Sequence, residues 1–350
     1  MKTTKILGIA FAAALSMTAV NSAVASECGL SCCIAAGVDG VGSATGVTLS
    51  LQYDTMNMKT IKQGTSKLSP QQAQLVDGGM KEAVPTKMVM SKYAVNMSYR
   101  HDENNAFILT VPYIINDMDM LRPNGTSMTM DTISGMGDVS LLYMRDLYKD
   151  ADMRTRQRIS VGVGVKAPTG KSKSRSATTG NLVHMMMQAG TGSWDGLLLA
   201  NGTFAFGEHE DGGAQWFLSP SAMYQINTKN DLGYKVGNRL NYDLSARYRV
   251  SSSFNVKLDM NGVYSSKDST DGTIDTASPT NLVAYQNPMS IIDKVQNTGL
   301  HSIFLSPGAQ WVVTPEFILS GEYRIPVYQN VNGVQQVTDN WFFLRATTRF

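Results

Sequence analysis

The final ten residues of the chain are Trp341-Phe342-Phe343-Leu344-Arg345-Ala346-Thr347-Thr348-Arg349-Phe350. On a strand, side chains alternate between two faces with a period of two. One face of this stretch is mainly apolar and carries Phe342, Leu344, Ala346 and Thr348. The opposite face is polar and charged and carries Arg345, Thr347 and Arg349. A strand with two such different faces indicates a boundary between two solvents.

The amino-terminal end predicts export. Lys2 and Lys5 precede an apolar stretch over residues 6–20, and Ala23-Val24-Ala25 supplies small residues of the kind that a signal peptidase accepts. We expect residues 1–25 to be a cleaved signal peptide, because the apolar stretch is short for a membrane anchor. Without Lys2 and Lys5 the chain has 28 basic and 28 acidic residues. This balance gives no reason to expect a nucleic-acid partner.

Alternation of apolar and polar residues continues through most of the chain. In residues 239–248, for example, Leu240, Tyr242 and Leu244 alternate with charged or amide side chains. The polar faces carry full charges in mid-strand, and the segments are long. Tilted transmembrane strands need roughly 9–11 residues, whereas soluble strands cluster near 5–6. The sequence therefore predicts an all-β fold, a transmembrane antiparallel up-and-down β-barrel of about twelve strands over residues 46–350, in the outer membrane of a Gram-negative cell.

The predicted strands are separated alternately by short and long connections, which is typical of periplasmic turns and outer loops in such barrels. The strands are expected at about 46–58, 86–100, 104–116, 136–149, 155–167, 191–206, 213–227, 237–250, 253–266, 298–312, 315–328 and 339–350. Long outer loops are expected at about 59–85, 117–135, 168–190, 228–236, 267–297 and 329–338.

Residues 26–45 do not follow the strand pattern and contain all three cysteines. The segment is expected in the periplasm or as a short plug in the lumen. In an oxidising compartment the simplest outcome for Cys28, Cys32 and Cys33 is one disulfide and one remaining thiol.

Four local motifs go beyond generic barrel sequence. They are Gly135-Met136-Gly137-Asp138, Val165-Lys166-Ala167-Pro168-Thr169-Gly170-Lys171, Gln188-Ala189-Gly190-Thr191-Gly192-Ser193-Trp194-Asp195, and Leu305-Ser306-Pro307-Gly308 with Ile325-Pro326-Val327-Tyr328-Gln329-Asn330-Val331-Asn332-Gly333. From about residue 135 to 350 the chain resembles the transporter-like outer-membrane β-barrel family of meta-pathway phenol-degradation proteins. The resemblance implies a channel for hydrophobic or aromatic compounds. The motif residues themselves are interpreted as scaffold, since glycine and proline usually mark turns.

The polar faces of the strands predict a charged lumen. Charges that line a pore filter polar solutes, but they can also pair and fill a small barrel. We expect a narrow lumen, partly filled by paired charges, that is lined by Asp54, Arg100, Arg239, Asp243, Arg247, Lys257, Asp259, Glu322, Arg324 and Arg345.

Methionine is abundant, with 21 residues, several of them in Met-x-Met patterns. Thioethers are soft ligands suited to Cu(I), so Met118, Met120, Met128 and Met130 are weak candidates for a metal site. The alternative is an adaptable apolar surface in the outer loops. No strict spacing of metal ligands recurs, and the second interpretation is favoured.

The four histidines offer no nucleophile–base pair, so no enzyme activity and no cofactor are predicted. His301 and Ser302 are neighbours and would face opposite sides of a strand. The favoured function is a channel for small hydrophobic or aromatic compounds, which would enter through loops 59–85, 117–135 and 267–297. Two alternatives remain: a methionine-rich copper-handling barrel, and a structural sleeve for a periplasmic partner. Expected partners are outer-membrane lipid, a small-molecule solute and the barrel-assembly machinery, the last through the strand that ends at Phe350.

Overall fold

A computed structural model describes residues 45–75, 81–150, 157–177, 180, 182–210, 213–271 and 290–350. The predicted signal peptide and the cysteine-containing segment lie outside these residues, as does most of the predicted loop 267–297. Sixteen strands are formed in the described part of the chain. They are β1 Gly46–Gly64, β2 Ser66–Leu68, β3 Val84–Arg100, β4 Asn105–Leu121, β5 Ser127–Thr129, β6 Ile133–Met136, β7 Ser140–Lys149, β8 Gln157–Lys166, β9 Asp195–Phe206, β10 Trp216–Ile226, β11 Tyr234–Lys235, β12 Arg239–Arg249, β13 Phe254–Ser265, β14 Ser269–Thr270, β15 Leu300–Thr314 and β16 Phe317–Arg349.

Eleven of these strands form one closed antiparallel barrel, as the alternating sequence predicts. Its order is β1-β3-β4-β7-β8-β9-β10-β12-β13-β15-β16, and β16 pairs back onto β1. The short strand β2 pairs with β1, β5 and β6 pair with β4, and β11 pairs with β14. Helical structure in the described ranges is limited to α1, Pro70–Ala73, and three single 3₁₀ turns, Met185–Met187, Ile291–Asp293 and Val295–Asn297. No helix among the described residues is both long and apolar enough to cross a bilayer.

Strand β16 is a hairpin that forms two adjacent strands of the barrel wall. Its first part pairs with β15 from Phe317 to Val331, and its second part pairs with β1 from Val331 to Arg349. Gly333 lies between the two parts with a φ of 57°, a conformation that favours glycine. The eleven strands therefore make twelve passes, and an even number is what a closed, fully antiparallel barrel requires. The predicted outer loop 329–338 was wrong, because most of it continues the strands to the turn at Gly333.

Two other outer loops were predicted too long, because the neighbouring strands extend into them. Strand β1 extends to Gly64, β3 begins at Val84 and β4 extends to Leu121. Much of the predicted loops 59–85 and 117–135 is therefore strand. The connections at the opposite end stay short, and there the Phe350 amide donates to the Val47 carbonyl at 2.9 Å.

These strands extend further than predicted because the apolar residues change from the outer to the inner face of the barrel part of the way along each strand. Tyr53, Tyr93 and Tyr113 are register partners on β1, β3 and β4, and the Tyr53 and Tyr93 ring centroids lie 4.9 Å apart. Below this level β1 has apolar residues outside and polar residues inside, as lipid outside a barrel requires. Above it the inner residues begin with Asp54 and Lys92 and continue mainly as methionines, and most of the outer ones are polar, including Thr55, Asn57, Ser91, Asp117 and Asp119. Tyrosine favours the headgroup level, so these strands extend from the lipid into water.

Candidate functional site: the charged lumen and its outer end

The largest charged group inside the barrel is built on β13 and β16. Lys257 Nζ lies 2.6 Å from Asp259 Oδ2 and 2.5 Å from Glu322 Oε2. Arg324 donates from Nε to Glu322 Oε1 at 2.6 Å, and its guanidinium carbon lies 4.1 Å from the Trp341 ring centroid. Four of the predicted lumen residues thus form one network of opposite charges.

The other predicted lumen residues also face inward but are dispersed. Asp54 pairs with Lys92 at 2.9 Å, and Arg100 pairs with Asp146 at 3.1 Å. Further contacts include Arg247 Nη1 to Gln310 Oε1 at 2.9 Å, Asn261 Nδ2 to Asp243 Oδ1 at 2.6 Å, and Arg345 over the Phe343 ring at 5.1 Å. Arg239 lies buried at the outer end.

A second charged network, absent from the predicted set, is assembled from the sequence motifs. Lys166 Nζ lies 2.6 Å from both Asp138 Oδ2 and Asp195 Oδ2 and also donates to the Thr191 hydroxyl. The side chains of Lys166, Asp138 and Asp195 are fully buried, at 0% exposure. The Thr191 amide donates to Asp138 Oδ2 at 2.9 Å, and the Gly170 amide donates to Asp138 Oδ1 at 3.1 Å. We call Asp138, Lys166, Thr191 and Asp195 the lysine network.

The motif glycines explain how the network closes. A Cβ on Gly170 would lie 2.3 Å from Gly137 Cα, and a Cβ on Gly190 would lie 2.6 Å from the Gly170 carbonyl carbon. Only glycine allows three backbones to pack this closely. The sequence showed the glycines as turn markers. It gave no sign that the Asp and Lys beside them would share one buried site, because the motifs are separated by some 25 to 30 residues.

Beyond the Asp54–Lys92 ion pair, the inner surface above the tyrosine level is mainly apolar. Met56 is the register partner of Met90, and Met58 is the partner of Met88, which in turn is the partner of Met118. We define the methionine wall as Met56, Met58, Met88, Met90, Met118 and Met120, all of which are buried and pack in one cluster with Trp341 and Ile133. Sequence reasoning placed Met118 and Met120 in an outer loop because it ended β4 too early.

Residues 182–188, here the covering segment, pack onto the methionine wall from inside the barrel. Val183 and Met187 are buried in the same cluster as the wall, and Asn116 Nδ2 on β4 donates to the Met187 carbonyl at 3.0 Å. His184 Nδ1 lies 2.7 Å from Asp293 Oδ1, which joins the covering segment to the connection before β15. Lys294 of that connection pairs with Glu82 at 2.5 Å.

Beside the covering segment lies a cavity of about 70 Å³. We call it the outer cavity. Its lining is mixed: Tyr234, Val236 and Leu300 are apolar or aromatic, whereas Arg239 and Asp268 are charged. Burial raises the pKa of Asp268 above its ordinary range, although the Tyr234 hydroxyl and the Gly237 amide both donate to this carboxylate.

The outer cavity and the methionine wall adjoin each other. Met186 and Ile292 line the cavity and also pack against the wall cluster. Gln336, another lining residue, donates from Nε2 to the Met58 carbonyl at 3.1 Å, while its buried Oε1 accepts no hydrogen bond from any residue that the structure describes. The apolar side chains of the cavity lining therefore continue into the wall through Met186 and Ile292.

The four metal candidates do not form a separate ligand group. Met118 and Met120 belong to the methionine wall, and Met128 and Met130 pack against its edge. The Met128 sulfur accepts hydrogen bonds from Arg122 at 2.9 and 3.2 Å, which places a positive charge where a metal ion would bind. Within the described ranges, no group of three or more His, Cys, Asp and Glu side chains is arranged to hold a metal ion.

The barrel is closed, the outer faces of its strands are apolar, its lumen is charged, and tyrosines mark the boundary between lipid and water. These features define an outer-membrane β-barrel of a Gram-negative bacterium. A crystal structure of an outer membrane channel from Pseudomonas putida F1 is similar in fold, with a TM-score of 0.56 and 14% identity over 89% of this chain and 98% of that one. More general likeness extends to the translocator domain of the autotransporter NalP from Neisseria meningitidis (TM-score 0.44, 12% identity, 91% and 93% of the chains). The P. putida toluene transporter TodX has a TM-score of 0.41, with 7% identity over 87% and 90% of the two chains.

The chain belongs to the family described as "Putative MetA-pathway of phenol degradation", whose model matches residues 89–328. The resemblance carried by the four motifs is thereby confirmed, and the match begins well before Gly135. No curated protein matches the sequence.

Proposed function

We propose that the protein is a channel that passes small hydrophobic or aromatic compounds across the outer membrane. The observation that carries the proposal is the outer cavity, in which apolar and aromatic side chains share the lining with polar groups inside the outer end of the barrel. A wide water-filled pore for polar solutes does not need apolar and aromatic side chains in its lining. The charges deeper in the lumen are largely paired with each other, so they offer few free groups to bind hydrophilic solutes. The family to which the chain belongs is consistent with the proposed substrate class.

The test is uptake of an aromatic compound by Gram-negative cells that carry a cytoplasmic reporter responsive to phenol. Val236→Trp should place a bulky ring in the outer cavity and slow phenol entry severalfold. Val327→Trp makes the same change on the lipid-facing surface, where Val327 is 61% exposed, and should leave entry unchanged. Equal entry in cells with the wild type, the Val236 variant and an empty vector would refute the proposal.

Ionic current through the purified protein in planar bilayers provides a second measurement. Because the lumen charges are paired, we expect a small conductance that falls further when phenol is added. Replacement of Arg247 and Lys257 by glutamine should shift the reversal potential in a salt gradient if both line the path. The predicted absence of enzyme activity, the sleeve role and recognition by the assembly machinery stay predictions.

A further inference from the structure

The methionine wall is an unusual inner surface for a strand barrel. β-Branched and aromatic residues favour strands, yet β1, β3 and β4 each carry two successive inward methionines above the tyrosine level. These methionines follow Asp54 on β1, Lys92 on β3, and Ile114 and Asn116 on β4. Valine or isoleucine would have supplied an equally apolar surface. Methionine differs by its flexibility and by a polarizable sulfur that makes favourable contacts with aromatic rings.

The wall is already occupied by part of the chain itself. Met187 and Val183 of the covering segment fill the space in front of it. Its polar contacts with other parts of the barrel include the 3.0 Å hydrogen bond from Asn116 and the 2.7 Å contact between His184 and Asp293. On its other side it is bonded to Ser174, whose carbonyl accepts from the Val183 amide at 3.0 Å and whose amide donates to Gln188 Oε1 at 2.8 Å. Its other face, through Met185 and Met186, lines the outer cavity. Movement of this one segment would therefore join the cavity to the wall.

We infer that the methionine wall is a second solute site, which binds aromatic rings in preference to aliphatic hydrocarbons of the same size when the covering segment moves aside. The inference rests on the proposed function and names its substrate class. Sulfur atoms on three strands and the Trp341 indole surround the space that Met187 now fills. A planar ring can contact several of them at once, whereas a saturated ring gains only the burial of its surface.

The experiment compares toluene with methylcyclohexane, which have the same carbon skeleton. Binding to the full protein in lipid nanodiscs is measured by competition, with empty nanodiscs subtracted. The wall variant is Met56→Leu/Met90→Leu/Met118→Leu, which keeps volume and apolarity but removes sulfur. The control variant is Met97→Leu/Met136→Leu/Met260→Leu, at lipid-facing positions that are 41%, 39% and 38% exposed.

We expect the wild type and the control variant to bind toluene about five- to tenfold more tightly than methylcyclohexane, from a few sulfur–ring contacts. The wall variant should lose that preference while its affinity for methylcyclohexane changes by less than about twofold. Met187→Ala removes the competing side chain and should tighten toluene binding, because a larger fraction of the protein then has the wall accessible.

Each other result is decisive. Equal affinity for both compounds in the wild type, or an unchanged preference in the wall variant, would overturn the inference and leave the proposed function intact. No binding of either compound, together with unaltered phenol entry in the Val236 variant, would overturn both. Stoichiometric binding of Ag(I) by the wild type and not by the wall variant, without any preference for toluene, would assign the wall to a soft metal ion instead.

Discussion

The lysine network gives the sharpest stability prediction, because its three charged side chains are fully buried. Lys166→Met removes the cation and leaves Asp138 and Asp195 facing each other. Both carboxylate oxygens lie 2.6 Å from the same nitrogen, so they are no more than about 5 Å apart. At an effective dielectric constant of about 20, two negative charges at that distance repel by about 3 kcal/mol. Loss of one partner from a buried ion pair costs about 3–5 kcal/mol, so we expect a destabilisation in that range.

The assay is urea unfolding from lipid vesicles, followed by tryptophan fluorescence and by the gel mobility of the folded barrel. With a urea dependence of about 3 kcal/mol per M, the midpoint should fall by about 1 M or more. Lys173→Met is the matched control, because Lys173 and its partner Asp231 are 45% and 62% exposed. An exposed pair contributes less than about 1 kcal/mol, so the control midpoint should hardly move.

A triple variant separates the loss of a cation from the loss of packing. Asp138→Asn/Lys166→Met/Asp195→Asn removes all three charges and should recover more than half of the lost stability, since no unpaired charge stays buried. Equal midpoints for Lys166→Met and Lys173→Met would refute the reasoning. A triple variant less stable than Lys166→Met would show that hydrogen bonding, not charge, holds the motifs together.

Three further predictions concern the outer end of the barrel. Ile114 and Ala189 are in contact, so a disulfide in Ile114→Cys/Ala189→Cys should hold the covering segment in place and block toluene binding until a reductant is added; binding unaffected by oxidation would contradict a mobile segment. Asp293→Asn weakens the His184 contact and should speed hydrogen exchange in residues 182–188 by about three- to tenfold, whereas exchange in β7 serves as the unchanged reference. Because the folded-state pKa of Asp268 is raised, its charge costs stability at neutral pH, and that cost disappears as the pH falls through the raised pKa. Asp268→Asn should therefore raise the urea midpoint at about pH 7 but hardly at about pH 4, and a pH-independent difference would argue against the effect of burial.

The sequence predicted the barrel well because lipid imposes a strict pattern on each pass. Leu244 and Leu258 face outward and Asp259 faces inward, as their alternation indicates. The alternation predicted the wrong boundaries where lipid no longer surrounds the strands. On β4, Met118 and Met120 alternate with Asp117 and Asp119 just as regularly as residues below them, but water lies outside this part of the strand and the apolar face turns inward. Alternation alone does not tell which face is outside.

The candidate site was less predictable, because it depends on contacts between distant segments. Arg324 and Glu322 were expected in the lumen from their own strand, and their partner Lys257 comes from a strand some 65 residues earlier. The lysine network joins three motifs that were separately visible as turns. The approach of His184 to Asp293 had no signal at all, since neither residue lies in a patterned segment. Loop packing inside a barrel is decided by side-chain fit, which a period of two does not encode.

The lysine network lies at the ends of β8 and β9 and just before β7, whereas the methionine wall lies on β1, β3 and β4, and no residue belongs to both. Substitutions in two sites without shared partners usually have additive effects on stability. The lysine network, which stabilises the fold, and the methionine wall, which we assign to solute binding, can therefore change in sequence independently of each other. A lineage could exchange methionines for other apolar residues, and so adapt to a new nutrient, without endangering assembly of the barrel.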